Sequence, residues 1–398
     1  MKKLFKVLVL VLLAVCTVNL TACDGNEKED SFKIGLICLH DESSTYDKNF
    51  IDSMYRALDE LGLETSQLEL VTGIGEDETC YQKASELAQT CDIVFADSFG
   101  HEDFMIQAAK ENEDVWFCHS TGTKAHTKNL DNYFNAFASI YEGRYLAGIT
   151  AGMKLNEMIE NGEITEAEAV MGYVGAFPYA EVVSGYTSFY LGAKSVCPSV
   201  TMKVRYTSSW YDYDKEKAAA EALVNTDNCV LISQHADSYG APEACESLGV
   251  PNVAYNGSTA SKCPETYLVA SKIDWTPYYV EMIQAKMDGE EVSAKDYTGT
   301  LNTGSVKLDT LGKNVAEGTQ EALDAAIAGL KNGTIHVFDT NNFTVNGEKL
   351  TSYLADVDDF GDYAPETEVI KDGYFHESEY RSAPYFDLRI DGITEINK

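Results

Sequence analysis

Between residues 33 and 271, short apolar runs alternate with stretches in which apolar residues recur every three or four positions. The run 34–39 is almost continuously apolar, as is typical of a parallel strand covered on both faces. Between the first two runs, helical spacing relates Phe50, Met54 and Leu58. The pattern predicts two sets of five strands: 33–39, 68–72, 92–96, 115–119 and 133–138, then 170–176, 202–207, 229–234, 252–255 and 267–271.

The same pattern predicts a similar architecture for each half of the chain. In the second half, helical spacing fills the gaps between the predicted strands, notably at 215–224 and 241–248. Strands that alternate with helices in two successive sets predict an α/β fold with two parallel-sheet lobes. In parallel sheets the carboxyl ends of the strands carry the ligand contacts, so two facing lobes predict a binding cleft.

The pattern changes after Trp275. Two more helices are predicted, at 278–287 and 315–330. From Thr334 onward the sequence is acidic and aromatic, with few helix signals. We expect 336–398 to form an irregular C-terminal extension packed on a lobe, because its many Tyr and Phe side chains favour burial.

Residues 1–22 predict a secretory signal peptide, in which three lysines precede an apolar run at 7–15. The alternative is a membrane-spanning helix, but Thr17 and Asn19 interrupt the run before it reaches the roughly 20 apolar residues that a span needs. The Leu-Thr-Ala-Cys sequence that ends at Cys23 resembles the lipobox of bacterial lipoproteins. That resemblance implies an acylated Cys23, a short polar linker over 23–31, and a protein anchored by lipid at the outer face of the cell membrane.

Acidic residues outnumber basic ones by 64 to 30, giving a formal charge of −34. Loss of the three signal-peptide lysines would lower this charge to −37. A protein that binds nucleic acid needs clustered cations, so the charge argues against nucleic acid as a partner. The content of 44% hydrophobic and 11% aromatic residues predicts a folded chain, because disordered chains are poor in both.

Eight cysteines remain beyond Cys16 and Cys23, and an even number in an exported protein permits disulfides. Several of them lie inside apolar runs, where a free cysteine behaves as a small hydrophobic residue. We therefore expect mostly free, buried thiols, with Cys80 and Cys91 as the local pair to test. Neither C-x-x-C nor a Cys/His spacing typical of zinc is present, so no metal site is expected.

The sequence lacks the motifs that mark common catalytic sites. It has no G-x-x-x-x-G-K-[ST], H-E-x-x-H, G-x-S-x-G or G-x-G-x-x-G. Its seven histidines are scattered, and with 64 acidic residues chance carboxylate pairs are frequent. We expect an exported binding protein that has no catalytic residues and needs no cofactor, rather than an enzyme.

Seven segments in order resemble the basic membrane protein family of lipoproteins, the purine nucleoside receptors that serve ABC transporters. They are KIGLICLHDESSTYDKNF at 33–50, DIVFADSFG at 92–100, EGRYLAG at 142–148, GYVGA at 172–176, SWYD at 209–212, QHADS at 234–238 and DWTPYYV at 274–280. The resemblance implies a type I periplasmic-binding-protein fold, with two Rossmann-like lobes joined by three hinge crossovers near Ser139, Lys272 and Thr300. It assigns 32–139 with 273–299 to the N-terminal lobe, and 140–272 with 300–335 to the C-terminal lobe.

The resemblance also implies a ligand site. Family members stack a purine between one aromatic ring from each lobe, which implies Phe50 and Trp210 here. Phe50 equally fits a helix core, since it shares an apolar stripe with Met54. Carboxylates accept hydrogen bonds from ribose hydroxyls, a role implied for Asp237 with Asp47.

The remaining implied ligand contacts depart from the family pattern or have an alternative role. Asn256 stands where the family has Asp, Lys272 is out of register with the family lysine, and Trp275 is expected to fill that space. Phe99 fits either the edge of the base or a packing role. The expected partners are a purine nucleoside and the permease and ATPase subunits of an ABC transporter. The alternatives are a surface sensor or signalling lipoprotein, and a sugar or autoinducer receptor of the same fold.

Overall fold

The computed structural model describes residues 32–397 except 129, 293 and 358–364. The predicted signal peptide, Cys23 and the linker to residue 31 lie outside the described residues. Within the described ranges, no helix has the length and apolar character needed to cross a bilayer.

Most of the strands belong to two sheets. In chain order the strands are β1 (Ile34–Ile37), β2 (Leu68–Val71), β3 (Ile93–Ala96), β4 (Trp116–Ser120), β5 (Tyr133–Ala138), β6 (Val170–Gly175), β7 (Thr201–Tyr206), β8 (Leu231–His235), β9 (Asn252–Tyr255), β10 (Tyr267–Ile273), β11 (Asp296–Gly299), β12 (Val306–Leu308), β13 (Leu354–Ala355), β14 (Thr367–Glu368), β15 (Ile370–Lys371), β16 (Tyr374–Phe375) and β17 (Ile393–Asn397). The first sheet has the order β11-β5-β4-β3-β1-β2, and the second has β12-β10-β9-β8-β6-β7-β17. β13 pairs with β14 and β15 with β16 as small separate ladders.

The described helices cover these sheets. They are α1 (Thr45–Leu61), α2 (Glu78–Leu87), α3 (Glu102–Glu111), α4 (Ala125–Lys128), α5 (Ile140–Glu160), α6 (Ala180–Val196), α7 (Tyr213–Asn225), α8 (Gly240–Leu248), α9 (Thr276–Asp288) and α10 (Thr319–Lys331). α1 begins after Ser44, whose hydroxyl accepts a hydrogen bond from the Asp47 N–H, and ends at Gly62 in the left-handed conformation. The N-terminal end of α1 is therefore fixed just after β1, at one edge of the cleft.

The first sheet is entirely parallel, and β1 and β3 are buried along their whole lengths. In the second sheet only β12 is antiparallel, to β10. Each of the ten predicted strands is present. β11, β12 and β17 were not predicted, because short edge strands with half-exposed faces give little apolar signal.

The chain passes between the two sheets three times: after β5, after β10 and before β12. This connectivity confirms the predicted α/β class, with two Rossmann-like lobes, three crossovers and a C-terminal extension.

The extension contacts both lobes. β17, near its end, adds a parallel edge strand to β7 of the second lobe. Ser382 reaches the first lobe, where its Oγ donates to Asp296 Oδ1 at 2.6 Å and accepts from Asn135 Nδ2 at 3.1 Å. The extension therefore lies across the two lobes, whereas the sequence predicted packing on one.

All eight cysteines in the described part of the chain are free and buried. Cys80 and Cys91, the pair that the sequence marked for testing, form no disulfide with each other. Burial raises the pKa of the Cys80 thiol to about 12, so it stays protonated and unreactive at neutral pH.

α5 and α6 form the closest helix pair of the second lobe, and glycines make this approach possible. A Cβ added at Gly148 of α5 would overlap the carbonyl oxygen of Phe189, and one at Gly192 of α6 would overlap that of Tyr145. Two backbones pack directly against each other at these points, so no methyl group fits without a shift of a helix.

We therefore expect Gly148→Ala to lower the free energy of unfolding by about 1–3 kcal/mol or more, because the added methyl group must push the helices apart. Gly257→Ala is the matched control, since a Cβ there meets no atom within 4 Å. Urea unfolding of both variants measures the difference. A Gly148→Ala protein as stable as the control would contradict the close packing.

Candidate functional site

A cavity lies between the lobes. The residues around it follow the carboxyl ends of strands from both sheets, as expected for this type of fold. They are Leu39, His40, Tyr46, Asp47, Ser98, Phe99, Thr121, Glu181, Trp210, His235, Asp237 and Tyr255.

Tyr46 and Asp47, in the first turn of α1, supply the wall of the first lobe. The Tyr46 hydroxyl donates to the backbone oxygen of Asp97 at 2.7 Å, which fixes the ring. Asp47 Oδ1 accepts from the His40 N–H at 2.7 Å, and its own N–H donates to the Ser44 hydroxyl. Burial alone would raise the pKa of Asp47, but the hydrogen bonds from His40 and Ser44 outweigh burial and lower it. Asp47 is therefore a buried carboxylate held in its charged form.

Trp210 and Asp237 supply the facing wall from the second lobe. Trp210 follows β7 and is half-buried, with its ring edge against Phe177 at 5.3 Å between centroids. Asp237 follows β8, and its N–H donates to the backbone oxygen of Trp210 at 2.9 Å. This backbone hydrogen bond between two neighbouring loops thus keeps Trp210 and Asp237 next to each other.

The two walls meet directly at one point. The N–H and the hydroxyl of Thr45 both donate to the backbone oxygen of Asp237, at 3.0 and 3.1 Å. Because Thr45 belongs to the first lobe and Asp237 to the second, these bonds join the lobes across the cleft. This is a closed arrangement, in which a ligand would contact both lobes at once.

A buried glutamate supports the loop that carries Asp237. Both carboxylate oxygens of Glu216 accept from the Ser238 N–H, at 3.2 and 3.1 Å. Burial raises the pKa of Glu216 to about 7. Burial also raises the pKa of Asp237 well above its usual range, with a further contribution from the nearby charge of Glu216, while neighbouring Asn256 acts in the opposite direction.

His235 and Tyr255 form the floor of the cavity, with their rings 4.2 Å apart. Beneath them lies Arg144 of α5, which is fully buried. Its guanidinium donates to Ser233 Oγ at 2.6 Å and to Ser271 Oγ at 3.1 Å, and lies over the Tyr255 ring. Burial and the nearby Arg144 charge lower the pKa of His235 against the opposing effect of Glu181. The floor therefore presents a neutral imidazole next to an aromatic ring.

Four of the eight predicted ligand residues line the cavity: Asp47, Phe99, Trp210 and Asp237. The other four do not. Phe50 and Trp275 stack on each other at 4.3 Å and are buried in the core, and Lys272 forms an ion pair with Asp309 at 2.5 Å. Asn256, which has a left-handed backbone with φ of 61°, lies next to Asp237 without lining the cavity.

The structure therefore corrects one aromatic position. Phe50 lies one helical turn deeper into α1 than Tyr46, so it faces the core, and Tyr46 takes the place at the cavity. The two rings occupy the same face of the helix, and the periodic pattern alone does not distinguish them. The two residues differ in their distance from the helix N-terminus, and this distance decides which ring reaches the cavity.

Sequence reasoning missed the other eight cavity residues, which are Leu39, His40, Tyr46, Ser98, Thr121, Glu181, His235 and Tyr255. Three of them follow or end parallel strands, namely His40 after β1, His235 at the end of β8 and Tyr255 at the end of β9. The rule that ligands bind at the carboxyl ends of such strands was a signal that could have found them.

Among the described residues, Cys38, Asp47 and Asp97 are a buried group whose potential metal-ligand atoms lie within 4.8 Å of one another. Burial, with the nearby Asp47 charge, raises the pKa of Asp97 well above its usual range, and burial raises that of the Cys38 thiol. Both groups therefore favour their protonated forms.

We expect Glu216→Gln to change how stability depends on pH. Between about pH 4.5 and 7 the folded protein retains the Glu216 proton that the unfolded chain releases, so the free energy of unfolding falls as pH rises. Relative to the Gln variant, the wild type should lose up to about 3 kcal/mol across this window. Urea unfolding at several pH values measures the slope, with Glu221→Gln on the same helix as control. Parallel pH curves for the wild type and Glu216→Gln would contradict the raised pKa.

Comparisons with known proteins agree with this geometry. The chain is 31% identical to a purine-binding protein of Brucella abortus over 312 residues, which cover 75% of this chain and 83% of the relative. It is 32% identical over 289 residues to a Haloferax volcanii protein whose name assigns it provisionally to glucose binding in ABC transport, covering 72% of this chain and 69% of the relative.

Solved structures show the same fold. An ABC transporter solute-binding protein from Conexibacter woesei superposes with a TM-score of 0.62 at 19% identity, covering 77% of this chain and 98% of that one. One from Aeropyrum pernix gives a TM-score of 0.64 at 13% identity, covering 77% and 93%.

The family model that matches residues 34–340 describes PnrA-like substrate-binding proteins of ABC transporters. This match confirms the resemblance seen in the sequence motifs: the chain belongs to the Bmp family of ABC transporter substrate-binding proteins.

Proposed function

We propose that this substrate-binding protein takes a purine nucleoside into the cleft cavity and delivers it to its ABC transporter. The observation that carries the proposal is the pairing of aromatic rings and buried carboxylates on opposite lobes of one cavity. The purine-binding relative at 31% identity supports the same ligand class.

The aromatic side chains suit a flat base. Tyr46 and Phe99 stand on the first lobe and Trp210 on the second, so a purine between the lobes contacts rings from both. Stacking of a base on an aromatic ring contributes about 1–3 kcal/mol. Phe99 is 45% exposed, so a bound ligand would also cover apolar surface.

The carboxylates suit a ribose. Asp47 and Asp237 face the cavity from opposite lobes and can form hydrogen bonds with hydroxyl groups. Charged Asp47 accepts charge-assisted bonds, which are roughly twice as strong as neutral ones, whereas Asp237, whose pKa burial raises, can both donate and accept. The lining contains no lysine or arginine among the described residues, while Glu181 adds a third acid. A phosphate would meet only acidic and neutral groups there, so a neutral nucleoside is favoured over a nucleotide.

Binding would act through the closed arrangement. A ligand that contacts Trp210 and Tyr46 together is stabilised only when the lobes meet, as they do at the Thr45–Asp237 hydrogen bonds. The ligand thus shifts the population of the protein towards the closed form, which the permease can then distinguish from the open form.

A sugar is the second candidate ligand. The relative from Haloferax volcanii is named for glucose binding, and paired carboxylates accept sugar hydroxyls as readily as those of ribose. The exposed aromatic rings at the cavity distinguish the two, because a free sugar lacks the flat base that they would stack on.

Calorimetric titration of the purified protein should show binding of adenosine, guanosine or inosine, and weaker or no binding of glucose, ribose and AMP. Trp210→Ala should weaken nucleoside binding about tenfold or more, because one stacking face is lost. Tyr55→Ala, which removes an exposed aromatic ring outside the cavity, should bind normally. Tight glucose binding without nucleoside binding would replace this proposal with the sugar alternative.

We also propose that Cys23 anchors the protein in the membrane, on the support of the lipobox-like sequence alone. Labelled palmitate should be incorporated into the wild type and not into Cys23→Ser, which should appear in the soluble fraction. Equal labelling of both proteins would contradict the anchor.

A further inference from the structure

A second cavity adjoins the first. Phe99, Thr121, Glu181 and Trp210 line both cavities, so the two are neighbouring chambers of one cleft. The two lobes line part of the second chamber, and the C-terminal extension adds a wall that the first chamber lacks, through Arg381, Ala383 and Pro384.

The part of the extension that forms this wall is hydrogen-bonded to both lobes. Next to it, Ser382 is bonded to Asp296 of the first lobe by its N–H at 2.8 Å and by its hydroxyl at 2.6 Å. A few residues later, β17 pairs with β7 of the second lobe. The family match ends at residue 340, so the wall lies beyond the part of the chain that the family model covers.

The chemistry of the second chamber differs from that of the first. Phe99, Tyr179 and Trp210 give it apolar faces, and Tyr179 is 50% exposed. Arg381 brings a guanidinium, which donates only long hydrogen bonds of 3.4 Å, to the backbone oxygens of Ala383 and Pro384. Among the described residues, no carboxylate lies within ion-pair distance of Arg381. A cation that makes no ion pair with a described carboxylate, in an otherwise acidic cleft, favours an anionic group of a ligand.

The two chambers also indicate how the ligand is oriented. Asp47 and Asp237, the acceptors suited to ribose, line only the first chamber, whereas the aromatic residues Phe99 and Trp210 line both. A nucleoside with its ribose at the carboxylates would therefore direct the edge of its base towards the second chamber.

We propose that the second chamber binds a substituent on the base of a modified purine nucleoside, and that Arg381 pairs with a carboxylate of that substituent. The inference rests on the proposed function and narrows it, from purine nucleosides in general to base-modified ones with an acidic side chain. Glu181, at the junction of the chambers, already contacts His235 at 3.2 Å.

The test compares four ligands by calorimetry with the full-length protein. Adenosine is the reference, N6-isopentenyladenosine adds neutral bulk, N6-threonylcarbamoyladenosine adds a carboxylate on the base, and S-adenosylhomocysteine places a carboxylate on the ribose side instead. The threonylcarbamoyl compound should bind about tenfold more tightly than adenosine, as expected for a hydrogen-bonded charge pair. Arg381→Gln should abolish this gain and leave adenosine binding unchanged, while Arg381→Lys should retain part of it.

Arg389→Gln is the matched control, because Arg389 is the other arginine of the extension and lines neither chamber. Its thermal unfolding, and that of both Arg381 variants, checks that the extension stays in place. Adenosine binding without any gain for the threonylcarbamoyl compound would overturn this inference and leave the proposed function intact. A gain that survives Arg381→Gln, or one seen only with S-adenosylhomocysteine, would also overturn it. Binding of none of the four would overturn both proposals.

Discussion

The second lobe depends on one buried cation. Arg144 has no exposed surface, and in the described part of the chain no carboxylate lies within ion-pair distance of it. A buried charge without such a partner costs several kcal/mol unless other groups compensate. Here hydroxyl and carbonyl oxygens from β8, β9 and β10 accept its hydrogen bonds, and the rings of Tyr173, Phe189 and Tyr255 lie 4.9–5.4 Å from the guanidinium carbon. Since these groups come from different elements, they surround the guanidinium of Arg144 only when α5 and α6 lie correctly on the sheet.

The binding cavity is built above that arrangement. Tyr255 contacts Arg144 on one side and His235 on the other, so the floor of the cavity takes its shape from the core beneath. A buried group also fixes the wall of the second lobe. Glu216 accepts hydrogen bonds from the Ser238 N–H and so holds the loop that carries Asp237. Cavity side chains on short loops are in this way held by buried polar groups on helices, which preorganises them for a ligand.

The C-terminal extension adds a constraint that the two lobes alone lack. It is bonded to the first lobe at Ser382 and to the second through β17, while its aromatic residues, including Phe338, Phe375 and Phe386, pack against one another in the core. A chain segment fixed to both lobes limits how far they can separate. The extension also supplies Arg381, Ala383 and Pro384 to the second chamber.

The sequence by itself determined the α/β class, the ten central strands, the three crossovers and the family, because apolar periodicity and local motifs are properties of neighbouring residues. Four of the residues that the sequence predicted as ligand contacts line the cavity, namely Asp47, Phe99, Trp210 and Asp237. Only the tertiary structure decided between Tyr46 and Phe50, since both lie on one face of α1 and their depth depends on packing against Trp275. The same holds for Lys272, whose ion pair is with Asp309, and for Arg381, which lies far along the chain from the cleft residues of the two lobes. Such contacts arise between residues distant in sequence, so no local pattern records them.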